Sequence, residues 1–116
     1  MNTSASFSSC RILIYGRDEV LLQTRSSLLE TAGFKSDTTL NGEEFARRIS
    51  AEQRRYCIFI VCHSIERGEV QAIVEAAKAS GVHVYALSSM TMPDEFLGEV
   101  RRLVDQCSLA STLVSA

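Results

Sequence analysis

Cys62, His63 and Ser64 follow directly on the apolar run Ile58-Phe59-Ile60-Val61. A thiol beside an imidazole is raw material for nucleophilic or redox chemistry, because a base can turn the thiol into the reactive thiolate. The spacing argues against a working pair. At the end of a strand, adjacent residues point to opposite faces, so His63 need not touch Cys62. The other histidine, His83, lies in or at the start of a later strand and is not an obvious base. A small buried thiol is the ordinary state of a free cysteine. Gly16-Arg17-Asp18 follows another apolar run, Ile12-Leu13-Ile14-Tyr15. It is a short turn, far from the G-x-G-x-x-G spacing that cradles phosphates. Ser88-Ser89 with Arg17 offers hydroxyls and a cation to a small anion, although hydroxyls in such loops commonly satisfy loop backbone groups.

The remaining composition narrows the classes. Cysteines stand at 10, 57, 62 and 107, with no C-x-x-C, and two scattered histidines make no zinc motif. Cys57 and Cys62 would face opposite sides of one strand, so a bridge between them is not expected, and reduced thiols in a cytoplasmic protein are. No metal or cofactor is expected. The net charge of -2 gives no global attraction to nucleic acid. The basic pairs Arg47-Arg48, Arg54-Arg55 and Arg101-Arg102 have acids nearby and read as solvated helix faces. No stretch is long and apolar enough for a membrane span, and the polar, small residues 1–9 read as a flexible tail rather than a secretory signal.

Elements that could position these residues are legible from periodicity. Residues 11–15 read as a buried strand and residues 18–33 as a helix with Leu21, Leu22, Leu28 and Leu29 on shared faces, closed by Gly33. Residues 34–39 make a more polar edge strand. Asn41 caps the next helix, with Glu44 in the capping-box position and Phe45, Ala46 and Ile49 toward the core. Residues 56–61 form the most apolar, central strand. Ser64 can cap a helix whose stripe is Val70, Ile73, Val74 and Ala77, ending at Gly81. A strand over 82–87 follows, then a helix opened by Thr91-Met92-Pro93-Asp94 with Phe96, Leu97, Val100, Leu103 and Val104 inward. Alternating strands and helices predict one α/β domain over residues 10–107, with a parallel sheet covered on both faces. Residues 108–116 are expected to be disordered or to add a strand.

The segments RILIYGRDEVLLQTRSSLLETAGF, NGEEFARRIS and YCIFIVCHS resemble the receiver domains of bacterial response regulators. The resemblance covers roughly residues 10–105. It implies a flavodoxin-like three-layer sandwich with strand order 2-1-3-4, in which the usual fifth strand and one helix are missing or replaced by the C-terminal tail. It also implies that Gly16, Arg17 and Asp18 stand where an acidic cluster holds Mg²⁺, that Cys62 stands where the phosphoaccepting aspartate belongs, and that Ser88 keeps the switch hydroxyl. The lysine of the fifth strand has no counterpart, since no lysine follows Lys78. Hard cations need carboxylate oxygens. Phosphoryl transfer to this site needs a carboxylate nucleophile beside a metal that neutralises phosphate charge, and a thiol does not replace it.

The leading expectation is a stand-alone degenerate receiver. It would be a non-enzymatic, phosphorylation-independent protein-interaction module in signal transduction, in the cytoplasm. Its partner would be a kinase, regulator or effector. A homodimer through the edge from Val82 to Leu87, or through the last helix, is the other contact expected. A redox or nucleophilic Cys62 and small-ligand sensing in the same crevice are the alternatives. No effector domain such as a helix-turn-helix fits after the last helix, so direct binding of nucleic acid is not expected.

Overall fold

The sheet is built on two runs that are apolar on both faces. In the computed structural model, which describes residues 11–52, 56–88 and 90–115, strand β1 (Arg11–Tyr15) buries all of Ile12, Leu13, Ile14 and Tyr15. Strand β3 (Tyr56–Val61) buries Ile58, Phe59, Ile60 and Val61 in the same way. A strand apolar on both faces must be covered on both faces, which makes β1 and β3 central. The order is β2-β1-β3-β4, all parallel, with β2 at Lys35–Thr39 and β4 at His83–Ala86. This is the expected 2-1-3-4 arrangement. Residues 1–9, expected as a flexible tail, lie outside the described residues.

Helices fill the two outer layers. Helix α1 (Glu19–Thr31) and helix α4 (Pro93–Ser115) cover the face carrying Ile12, Ile14, Ile58, Ile60 and Cys62, through Leu22, Leu29, Phe96 and Val100. Helix α2 (Gly42–Glu52) and helix α3 (Arg67–Ser80) cover the other face, where Phe45, Ile73 and Ala77 meet Leu13, Tyr15, Phe59 and Val61. Each large apolar side chain taken fully out of water contributes about 1.5–3 kcal/mol, so these two clusters dominate the stability. Gly33 (φ 95°) and Gly81 (φ 75°) end α1 and α3 in the left-handed region, where a side chain would be strained.

Local chemistry sets the ends of the helices, with some departures from expectation. The Asp18 carboxylate caps α1 by accepting the Val20 and Leu21 N–H groups. Asn41 caps α2 as expected, accepting from Glu43 at 2.7 Å and Glu44 at 3.2 Å. Glu44 does not close the box directly. It accepts the Thr39 hydroxyl, and Thr39 Oγ1 accepts the Asn41 N–H. Ala46 is exposed rather than inward, because Phe45 alone reaches the sheet at that turn; the side chain of Ile49 lies outside the described residues. Ser64 does not cap α3, which starts three residues later with Glu66 in the cap position and no side-chain bond. Thr91 is likewise drawn to Ser88, and α4 starts at Pro93.

The C-terminal segment differs most. The expectation for residues 108–116 was a fifth strand or disorder, whereas α4 runs unbroken to Ser115. At 1.5 Å per residue it is about 34 Å long, against a longest molecular dimension of 39 Å. Its buried stripe keeps helical spacing from Phe96 to Val104, and no proline or glycine after Gly98 interrupts the pattern. The thiols also differ from expectation: Cys57 is disulfide-bonded, while Cys62 is free and buried. No helix among the described residues is long and apolar enough to cross a membrane.

Candidate functional site

Open parallel sheets place functional loops at the carboxyl ends of their strands. Here β1 delivers Gly16, Arg17 and Asp18 there, β3 delivers Cys62, and β4 delivers Ser88. The Cys62 N–H donates to the Tyr15 carbonyl at 2.9 Å, and the Leu87 N–H donates to the Val61 carbonyl at 2.8 Å. These bonds extend the strand pairing past Val61, so Gly16, Cys62 and Leu87 lie side by side.

Gly16 and Cys62 are packed into each other. A Cβ on Gly16 would lie 2.9 Å from both Cβ and Sγ of Cys62 and 3.3 Å from Leu22 Cδ2. The cysteine side chain therefore occupies the space that any side chain at position 16 would need. Cys62 is 4% exposed. Its sulfur accepts a hydrogen bond from Arg25 Nη1 at 3.1 Å. Burial pushes the Cys62 thiol up, the Arg25 charge and hydrogen bond pull it down by less, and Asp18 adds to the rise. The outcome is a thiol protonated at neutral pH, the opposite of what nucleophilic use requires. His63 is exposed and makes no hydrogen bond to Cys62.

Arg17 turns away from this pair. Its N–H donates to Ser64 Oγ at 3.1 Å, and its guanidinium lies 3.3 Å from Glu69 Oε1 on α3. The other oxygen of Glu69 accepts a hydrogen bond from the buried Tyr15 hydroxyl. Burial, then the Glu69 bond and charge, push the Tyr15 phenol up to about 12, with Arg17 opposing, so it stays a donor. Gly42 makes this possible: a Cβ there would lie 2.8 Å from Tyr15 Oη and 2.9 Å from Glu69 Oε2. Ser88 is also committed locally. Its hydroxyl lies 3.1 Å from Thr91 Oγ1 and accepts the Met90 N–H at 3.2 Å. Ser89 lies outside the described residues.

The fold therefore joins Gly16 with Cys62 and leaves Arg17 and Ser88 engaged elsewhere. A Mg²⁺ ion does not fit these groups. Gly16 has no ligand atom, Arg17 is a cation, and Asp18, the one carboxylate of the three, caps the start of α1 through Oδ1. No group of three or more His, Cys, Asp or Glu among the described residues could hold a metal ion. Arg25, Tyr15 and Glu69 were not anticipated as site residues. A signal existed for Arg25, which stands three residues after Leu22 and four before Leu29, on the buried stripe of α1.

Comparison with known proteins adds the fold class. A response regulator receiver domain protein from Clostridium thermocellum is similar over 87% of this chain and 98% of its own, with a TM-score of 0.63 at 13% identity. A pilus assembly-related protein from Burkholderia pseudomallei K96243 is similar over 86% and 92%, with a TM-score of 0.60 at 14% identity. The Vibrio cholerae chemotaxis protein CheY4 is similar over 81% and 98%, with a TM-score of 0.55 at 16% identity. No protein-family model matches the chain. No curated protein matches it either. The chain thus has the flavodoxin-like α/β fold of receiver domains, and at these identities the likeness concerns the fold.

Proposed function

We propose that the chain is a degenerate receiver domain that acts in signal transduction through protein contacts, without phosphorylation and without enzymatic activity. One observation carries this reading: Cys62, at the position matching the phosphoaccepting aspartate, fills the space over Gly16, at the position matching the acidic cluster. The two substitutions are coupled by packing, so the site is filled rather than merely altered. Arg25 on the sulfur adds a cation where receivers gather carboxylates around a metal. Asp18, although acidic, works as a helix cap, and Ser88 as a turn residue.

The protein partner on this reading is a kinase, regulator or effector met in the cytoplasm, and the edge from Val82 to Leu87 or helix α4 serves a homodimer. A thiol-based role for Cys62 loses support from its burial and its raised pKa. Incubation with Mg²⁺ and acetyl phosphate or beryllofluoride, followed by intact mass and two-dimensional NMR, tests the proposal. Neither a mass increase nor shifts around residues 16–18, 62 and 88 are expected. Stoichiometric modification or binding at this pocket would overturn it.

A further inference from the structure

The two edges of the sheet are unequal. β2 carries Lys35 and Asp37, and Asp37 gathers Arg11 at 2.9 Å and Arg48 at 3.6 Å. Charge on an edge strand is a standard device against edge-to-edge pairing. β4 reads His-Val-Tyr-Ala, with no aspartate, glutamate, lysine or arginine, and no described strand pairs with its outer side. Met90 and Met92, which follow within the next turn, are 80% and 64% exposed.

Register decides which backbone groups β4 presents. The Leu87 N–H points to β3, since it bonds the Val61 carbonyl. Backbone direction alternates along a strand, so Tyr85 and His83 also bond β3, consistent with the Ile60↔Tyr85 and Ile58↔His83 pairs. Val84 and Ala86 then direct their N–H and C=O groups outward. Side chains alternate too: Tyr85 and Leu87 join the cluster under α1 and α4, and Val84 the cluster under α2 and α3.

We infer that β4 pairs antiparallel with β4 of a second copy of this chain, about a two-fold axis normal to the sheet at Tyr85, joining two four-stranded sheets into one. That axis sets each Val84 opposite the partner copy's Ala86, so the outward donors and acceptors of both meet in hydrogen-bonded pairs. Tyr85 faces its own copy in the non-hydrogen-bonded position, where aromatic cross-strand pairs stabilise. The contact is self-complementary and neutral: small Ala86 meets Val84, and no like charges are opposed. The same operation on β2 about Asp37 would set carboxylate against carboxylate. The inference rests on the reading of the domain as an interaction module and names its partner as the chain itself.

Sedimentation velocity on the full chain tests it, with circular dichroism confirming the fold of each variant. A concentration-dependent dimer is expected. Ala86→Lys, at an exposed position, should weaken it about tenfold or more by placing a lysine against the partner edge. Tyr85→Cys should cross-link to itself under mild oxidation, reversibly with dithiothreitol and beyond the wild-type background. A non-hydrogen-bonded pair sets Cα atoms about 4.5 Å apart, within disulfide reach. A monomer up to about 1 mM, or a dimer indifferent to Ala86→Lys, overturns the inference. Absence of the Tyr85→Cys cross-link in a dimer overturns the register. The acetyl phosphate experiment fails or succeeds independently, so loss of the phosphorylation-independent reading would be seen separately.

Discussion

Gly16→Ala is expected to destabilise the domain, and Cys62→Gly is expected to rescue it. The added methyl would stand 2.9 Å from Cβ and Sγ of Cys62 and 3.3 Å from Leu22 Cδ2, against ordinary carbon contacts of about 3.5–4 Å. Cβ of Cys62 is fixed by its backbone, whose N–H is held at 2.9 Å by the Tyr15 carbonyl, so it cannot swing aside like the end of a long side chain. Overpacking of this kind costs about 1–3 kcal/mol. Gly16 is not among the glycines with positive φ, so alanine also lowers the unfolded chain's entropy and returns about 0.4–1 kcal/mol. The net loss is about 0–2.6 kcal/mol, centred near 1. Urea unfolding of wild type, both single variants and the double variant, with unchanged slopes, measures the coupling. The double variant should be more stable than the sum of the single effects predicts, by about 1 kcal/mol or more. Additivity within about 0.5 kcal/mol would refute the claim that Cys62 closes position 16.

Three further outcomes follow from the same contacts. Arg25→Met removes the cation that lowers the Cys62 pKa, so the pH midpoint of Cys62 alkylation should rise; a midpoint that stays or falls removes Arg25 from the site. Asn41→Ala should cost about 1 kcal/mol in urea unfolding through loss of the α2 cap, and no loss would mean Thr39 and Glu44 hold that turn alone. Burial works against ionised Asp37, but the Arg11 and Tyr56 hydrogen bonds and the Arg11 and Arg48 charges outweigh it and hold its carboxyl below the usual range. Its contribution is therefore fully present above the unfolded carboxyl value, about 3.9, and is lost as pH falls through the lower folded value. Asp37→Asn should flatten the fall in stability below about pH 4, read by urea midpoints between pH 2 and 7; an unchanged slope would place the acid sensitivity elsewhere.

The architecture was legible because its determinants are local or periodic. Short runs apolar at every position and bounded by turn residues, such as 12–15 and 58–61, fit a strand covered on both sides. Asn41 two and three residues ahead of the N–H groups that donate to it, and glycines at 33 and 81, act within one turn of chain. Where another partner competed, the reading failed. Thr91 had Ser88 three residues away, and Ser64 had the Arg17 N–H, which the fold brings across 47 residues of chain, so neither capped a helix. Residues 108–115 carry no strong signal of their own, and their helical state continues from the packed stripe that ends at Val104.

By itself the sequence determined the order of elements, the polar and apolar edges of the sheet, and the presence of Gly16, Arg17 and Cys62 at the ends of its two most apolar runs. Tertiary structure alone decided what those residues do together. Arg25 reaches Cys62 across 37 residues of chain, and Arg17 and Tyr15 meet on Glu69 across 52 and 54. No periodicity encodes such contacts, because they depend on where α1 and α3 cross the strand ends. Gly16 and Cys62 form a filled contact in the fold, since two parallel strands in register bring the cysteine side chain over the glycine.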